Sequence, residues 1–249
     1  MSTRVLVVGD LHYGSHFAPK FSDNTGTPLQ EELAVAWTDM VDDVGTVDIV
    51  VANGDLCEGA DPKSNGHGCW TTNLNDQVKG AASMLKMIHC SPKNFYGTQG
   101  SAYHVGTYPS LDEMVLESIG GTFGPYIALV LEGNRAFFNH NGGAARKQGN
   151  RAGALYRHII TSMLNAPEFG DYRFLAFNHG HYYTLVQTES VVAVNTPGWK
   201  GIDTFIGTRG VPDVPHIGYV VVDFKGSDIE VTHCVKTQSR EYILKEYVV

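Results

Sequence analysis

Two apolar, β-branched runs end in the same way: residues 4–8 close on Gly9-Asp10-Leu11-His12, and residues 48–52 close on Asn53-Gly54-Asp55. This repeated ending limits the possible folds more than any other feature of the chain. A short apolar run stopped by glycine reads as a strand buried on both faces. Between the two, residues 29–44 carry Leu33, Ala36, Trp37, Met40, Val41 and Val44 at helical spacing, with Glu31 and Glu32 near the start, where acids suit the helix dipole. Strand, helix, strand is a βαβ unit whose right-handed crossover makes the strands parallel. Both Gly-Asp ends then leave one edge of the sheet, where open α/β sheets bind ligands. Carboxylates brought together there repel unless a cation lies between them. In extended backbone Asp10 and His12 share a face, and such a pair suits Mn²⁺, Fe, Zn²⁺ or Ni²⁺. Taken alone, the pair reads equally as an Asp capping a loop and a His packed inside.

Later strand ends repeat the theme with histidine. Residues 73–88 read as a helix, 94–96 as a short strand ending at Gly97-Thr98-Gln99-Gly100-Ser101-Ala102-Tyr103-His104, and 109–119 as a third helix. Glu132-Gly133-Asn134 marks a hairpin between residues 125–131 and 135–139, and its second arm leads to His140 and glycines. A helix over 148–164 begins just after Arg146 and contains Arg151. Residues 173–177 run into Asn178-His179-Gly180-His181, whose histidines share a face if extended. Residues 182–187, 190–195, 216–224 and 228–235 read as strands. Alternation of α and β followed by consecutive strands predicts one α/β (α+β) domain over residues 1–249, a two-sheet core with helices outside.

The formal net charge of −8 over 249 residues argues against broad nucleic-acid binding, which needs clustered Lys and Arg. Cys57, Cys69, Cys90 and Cys234 lack CxxC spacing, and His67 with Cys69 lacks the second pair a zinc site needs. No signal-peptide pattern and no membrane-spanning apolar stretch is read, so the expected location is the cytoplasm with thiols reduced.

The order Gly9-Asp10-x-His12, Gly54-Asp55-x-x-Glu58, Gly97 with a following histidine, His140 with glycines, and His179-x-His181 resembles the calcineurin-like metallophosphoesterase superfamily across residues 4–181. The resemblance implies a four-layer αββα double β-sandwich flanked by helices. It implies that Asp10 and His12 bind one divalent ion, that Asp55 bridges two, and that His140 serves the second. Of the closing pair, His179 serves the second ion and His181 the first. Mn²⁺ is the first expectation, with Fe, Ni²⁺ or Zn²⁺ behind it, since imidazoles favour transition metals over Mg²⁺. Glu58 reads as orienting a ligand more than as one.

One motif departs from the family. Gly97-Thr98-Gln99 stands where Gly-Asn-His is usual, leaving the second ion with His140, His179 and Asp55. Either Thr98 fills the Asn slot, or His104 supplies the imidazole as an acid or phosphate-binding group; the second placement is favoured. Arg146 and Arg151 are candidate phosphate clamps, read equally as solvated charges. The expected activity is hydrolysis of a phosphate ester, a diester or a nucleotide among the candidates, by metal-activated water. A nuclease of the same superfamily and a binding module that keeps only the fold are the alternatives. Small size, the altered motif and the lack of appended domains look similar to phage-borne members, which would place the protein in a host cytoplasm.

Overall fold

The computed structural model describes residues 2–21, 26–62, 65–106, 109–142, 148–202 and 214–237. Strand β1 (Thr3–Val8) lies parallel to β2 (Ile49–Ala52), pairing Val5 with Ile49 and Val8 with Ala52. The crossover is α1 (Pro28–Val44), begun by a capping box in which Thr27 and Gln30 each satisfy the other's backbone N–H, with proline at the first turn. Helix α2 (Leu74–Lys86) leads to β3 (Phe95–Thr98), parallel to β2. Short α3 (Ala102–Val105) and α4 (Leu111–Ile119) then lead to β4 (Thr122–Gly124), parallel to β3.

Next come β5 (Ile127–Leu131), β6 (Asn134–Asn139), α5 (Arg151–Leu164), short α6 (Ala166–Phe169), β7 (Phe174–Phe177), β8 (Thr184–Gln187) and β9 (Val192–Asn195). Strands β10 (His216–Lys225) and β11 (Asp228–Thr237) return to the first sheet, β10 antiparallel to β1. Among the described residues one sheet has the order β11-β10-β1-β2-β3-β4 and the other β5-β6-β7-β9-β8. The expected hairpin is the β5–β6 turn, where Glu132 (φ 48°) and Gly133 (φ 83°) both take the left-handed conformation of a type I′ loop.

The sheets face each other through Val5, Val7, Val51, Val220 and Phe224 on one side and Ile127, Phe138, Phe174 and Val194 on the other. On the outer side of the first sheet, Leu6, Val8 and Val50 meet Trp37, Met40, Leu85 and Leu116 of α1, α2 and α4. Helix α5 covers the second sheet with Leu155 and Ile159 against Leu175, Phe177 and Ala193. Each such side chain contributes about 1.5–3 kcal/mol on leaving water. The result is the four-layer double sandwich, and β1, covered on both faces, explains the unbroken apolar run.

Three details differ from the expectation. A 3₁₀ turn at Pro92–Asn94 delays β3 by one residue, and β8 starts only at Thr184, after the turn that holds His181. Helices α3 and α6 and strand β4 are too short to give a periodic signal. No helix among the described residues is long and apolar enough to cross a membrane. The four cysteines are free.

Candidate metal centre

The carboxyl ends of β1, β2, β6 and β7 converge, and the chain does something there that a strand cannot. Asp10 (φ 50°), His12 (φ 47°), Asp55 (φ 50°), His179 (φ 66°) and His181 (φ 51°) all have left-handed backbone. The expectation that Asp10 and His12, or His179 and His181, share a face through extended alternation is therefore corrected. They converge because each turns the chain out of the strand direction. The two Gly-Asp loops continue to pair past their strands, with Asp10 N–H donating to the Gly54 carbonyl at 2.9 Å and His12 N–H to that of Asp55 at 3.0 Å. Gly54 must lack a side chain: a Cβ there would meet the His140 ring at 2.7 Å.

Two triads of ligand-type atoms result, Asp10-His12-His181 and Asp55-His140-His179. His12 Nε2 lies 3.2 Å from His181 Nε2, and His140 Nε2 lies 3.2 Å from His179 Nδ1. Nitrogens bound at about 2.1 Å to one ion stand about 3–3.4 Å apart, so these separations suit shared cations. Asp10 Oδ1 is buried without a hydrogen-bond partner, 3.5 Å from His181 Nε2, 3.7 Å from His12 Nε2 and 3.9 Å from His140 Nε2. An orphaned buried carboxylate oxygen facing three imidazoles is unfavourable unless a cation completes the group. His140 Nε2 is 3.1 Å from Asp55 Oδ2 and joins the halves. The residues fit a divalent metal.

Surrounding groups fix which nitrogen faces inward. His140 Nδ1 lies 2.9 Å from the Asn53 carbonyl and His12 Nδ1 lies 2.9 Å from Glu58 Oε2. Both oxygens only accept, so each Nδ1 carries the hydrogen and each Nε2 offers a lone pair. Buried Lys200 donates to both Glu58 oxygens, at 2.9 and 3.1 Å. It belongs to a strap in which Thr196 N–H donates to the Phe177 carbonyl, Trp199 N–H to that of Asp10, and Gly201 N–H to that of Phe17.

Thr98, expected as a ligand or a support, donates its hydroxyl to Asn53 Oδ1 at 2.8 Å. Asn53 donates to Asn178 Oδ1 at 2.7 Å, and Asn178 to Asp10 Oδ2 at 3.3 Å. Thr98 thus acts at a distance. Ser101 takes the place beside the bridging candidate: its N–H donates to Asp55 Oδ1 at 2.7 Å, and its hydroxyl lies 3.1 and 3.0 Å from the two Asp55 oxygens. Asp112 of α4 accepts from the N–H groups of Asp55, Leu56 and Gly100, tying that turn to the third-strand loop. His104 Nδ1 donates to the Glu58 carbonyl at 2.9 Å. Arg151 holds its guanidinium 3.8 Å over the Tyr182 ring, packed and not solvated. Arg146 lies outside the described residues.

Charges in the centre are strongly coupled. Burial pushes Asp10 up, but His181, His140 and His12 prevail and hold it well below the usual carboxylate range. Asp55 is likewise low, against burial, through His140, His12 and His104. Burial opposes His12 and His140, yet Glu58 raises the first to about 9 and Asp55 with Asp10 raises the second to about 10. Against burial, His12 and Lys200 bring Glu58 down to about 2. Burial wins at His181, which falls to about 4, and at His104, lowered by burial and by His12. Burial and the neighbouring Asp55 raise Asp112 to about 7.

Ser101, Asp112, Asn53, Asn178 and Lys200 were not singled out by sequence. The glycine beside Ser101 and the neighbourhood of the His-x-His motif were the available signals for two of them; Asp112 and Lys200 offered none. Comparison with protein-family models and with curated proteins returns no match. Among solved structures the chain is similar to an archaeal phosphodiesterase (13% identity, 93% of this chain and 100% of that one, TM-score 0.51). It is also similar to a predicted phosphoesterase from Streptococcus pneumoniae (12%, 94% and 90%, TM-score 0.45). A third likeness is to Vps29 of Entamoeba histolytica complexed with Zn²⁺ (12%, 94% and 99%, TM-score 0.43). At such identities the likeness to the archaeal protein shows the fold, which is the metallophosphoesterase-like architecture expected. None of the three supports the likeness to phage-borne members.

Proposed function

We propose that this chain is a metal-dependent phosphoesterase of the calcineurin-like type. One observation carries the reading: two His-and-carboxylate triads face each other across His140, Asp10 and Asp55, with an orphaned Asp10 oxygen between them. Asp10, His12 and His181 would hold one divalent ion and Asp55, His140 and His179 a second, Asp55 being the bridging candidate. Bound there, the pair supplies Lewis acidity to a phosphoryl oxygen and lowers the pKa of the attacking water. The nitrogen-rich donor set supports Mn²⁺ first, then Fe, Ni²⁺ or Zn²⁺, over Mg²⁺.

The chain's own residues set the geometry. Glu58 and the Asn53 carbonyl keep His12 and His140 in the tautomer that presents Nε2. The Ser101 N–H and hydroxyl anchor the Asp55 carboxylate. In such a hydrolysis water would lose a proton to solvent as its oxygen bonds to phosphorus, the ester P–O bond would break, and the departing alcohol would take a proton from solvent. A diester is our preferred substrate, supported by the resemblance and by the fold shared with an archaeal phosphodiesterase.

Metal analysis of the purified protein and turnover of bis-p-nitrophenyl phosphate against p-nitrophenyl phosphate, with added Mn²⁺, test this. Bound metal with faster diester turnover supports the reading. Metal with no turnover of either ester points to the binding module, and cleavage confined to DNA or RNA points to the nuclease.

A further inference from the structure

A third group of ligand-type atoms lies between the two triads: His12, Asp55 and His104. His104 is carried by α3, and the position of that helix is fixed from two sides. Its carbonyl packs directly against Gly59, leaving no room there for a Cβ. Its ring is pinned by the Nδ1 hydrogen bond to the Glu58 carbonyl and stands edge-on to His12, with centroids 4.5 Å apart, and to Tyr103, at 4.8 Å. A carbonyl oxygen only accepts, so the proton sits on Nδ1 and the lone pair on Nε2.

The hydroxyls of the same loop are committed elsewhere: that of Thr98 to Asn53, that of Ser101 to both oxygens of Asp55. A pinned, half-buried imidazole grouped with a carboxylate and another imidazole has the attributes of a ligand, since the outer hydrogen bond both sets the tautomer and raises basicity. We propose that His104 is a metal ligand, its Nε2 joining His12 and Asp55 around the first ion. This rests on the metal-dependent reading above. It removes His104 from the role of acid, because a nitrogen bonded to a metal has no proton to give.

Titration of the chelator-stripped protein with Co²⁺, followed by its visible d–d bands, tests this without turnover. His104→Ala is expected to weaken Co²⁺ binding at least about tenfold and to change the d–d spectrum, while Tyr103→Phe leaves both as in the wild type. His104→Cys guards against a merely unfolded alanine variant. A thiolate at that position adds a near-ultraviolet sulfur-to-cobalt band, absent from the wild type, only if residue 104 touches the ion. A folded His104→Ala with unchanged affinity and spectrum overturns the proposal. A wild-type protein that binds no Co²⁺ overturns the metal-dependent reading itself, a different and separable failure.

Discussion

A residue other than glycine in the left-handed region costs about 1–2 kcal/mol, and Asp10, His12, Asp55, His179 and His181 all occupy it. Such strain persists where surrounding contacts over-determine it, here the loop-to-loop hydrogen bonds and the Asp112 clamp. The side chains so placed differ in what they serve. Asp55 stands in two ligand groups and His104 in one. Asp55→Ala is expected to lower kcat on a chromogenic diester by about three orders of magnitude, and His104→Ala by about one to two. Equal residual rates would contradict these roles. Lys200 makes a separate case: its ammonium is buried against Glu58, and removing one partner of a buried pair costs about 3–5 kcal/mol. Lys200→Met should show a loss near the low end of that range in urea unfolding, because His12 still faces Glu58, and Glu58→Gln in the same chain should recover part of it. Sequence made the members of the two ligand-type triads legible because acids and histidines at strand ends follow a motif. It hid Lys200 and Asp112, which reach the centre across 142 and 56–57 residues and follow no local pattern.

At the level of elements, α1, β1 and β2 were readable because cap, period and apolar run agree. Helix α2 was readable too, but the reason it sits so close was not. Gly80 on α2 lies directly against the ring of buried Tyr13, so a Cβ there would overlap it. Alanine gains up to about 1 kcal/mol over glycine in a helix, whereas overpacking a filled interior costs about 1–3 kcal/mol. Gly80→Ala is therefore expected to be net destabilising by about 1 kcal/mol, read from the urea midpoint, and Tyr13→Phe should not rescue it because the ring itself is the obstacle. The left-handed turns after β1, β2 and β7 were invisible for a related reason: Asp and His resemble ordinary loop residues, and only the paired loops show that extended alternation has ended.

Over the whole molecule, the coupled charges set how stability follows pH. His12 and His140, raised to about 9 and about 10 in the folded protein, give stability that is complete below their unfolded value near 6.5 and is lost as pH climbs through 9 and 10. Asp10, Asp55 and Glu58 are depressed, so their contribution is present above about pH 4–5 and is lost as pH falls. His181 and His104, lowered from 6.5, cost stability as pH falls beneath that value while Asp112, raised to about 7, returns some, so chelator-stripped protein should melt highest near pH 6.5. Mn²⁺ competes with protons for the same nitrogens, so its binding strengthens with pH. The Tm difference between Mn²⁺-loaded and stripped protein should widen from pH 6 to 9; a narrowing difference would contradict the coupling. The fold class was readable at this scale from the order of elements. What was not readable is that the strap at 196–201 returns from the second sheet to lie on Asp10, His12's support and Phe17. On the metal-dependent reading that return would order events on the ribosome. The acids of the first β–α–β unit emerge early, whereas His181 comes 169 residues after its partner His12 and Lys200 142 residues after Glu58. On the metal-dependent reading, a nascent chain halted before the strap would expose only a half-built, weak cation trap, so capture of an ion would await synthesis of the later strands and would then help fasten them to the earliest.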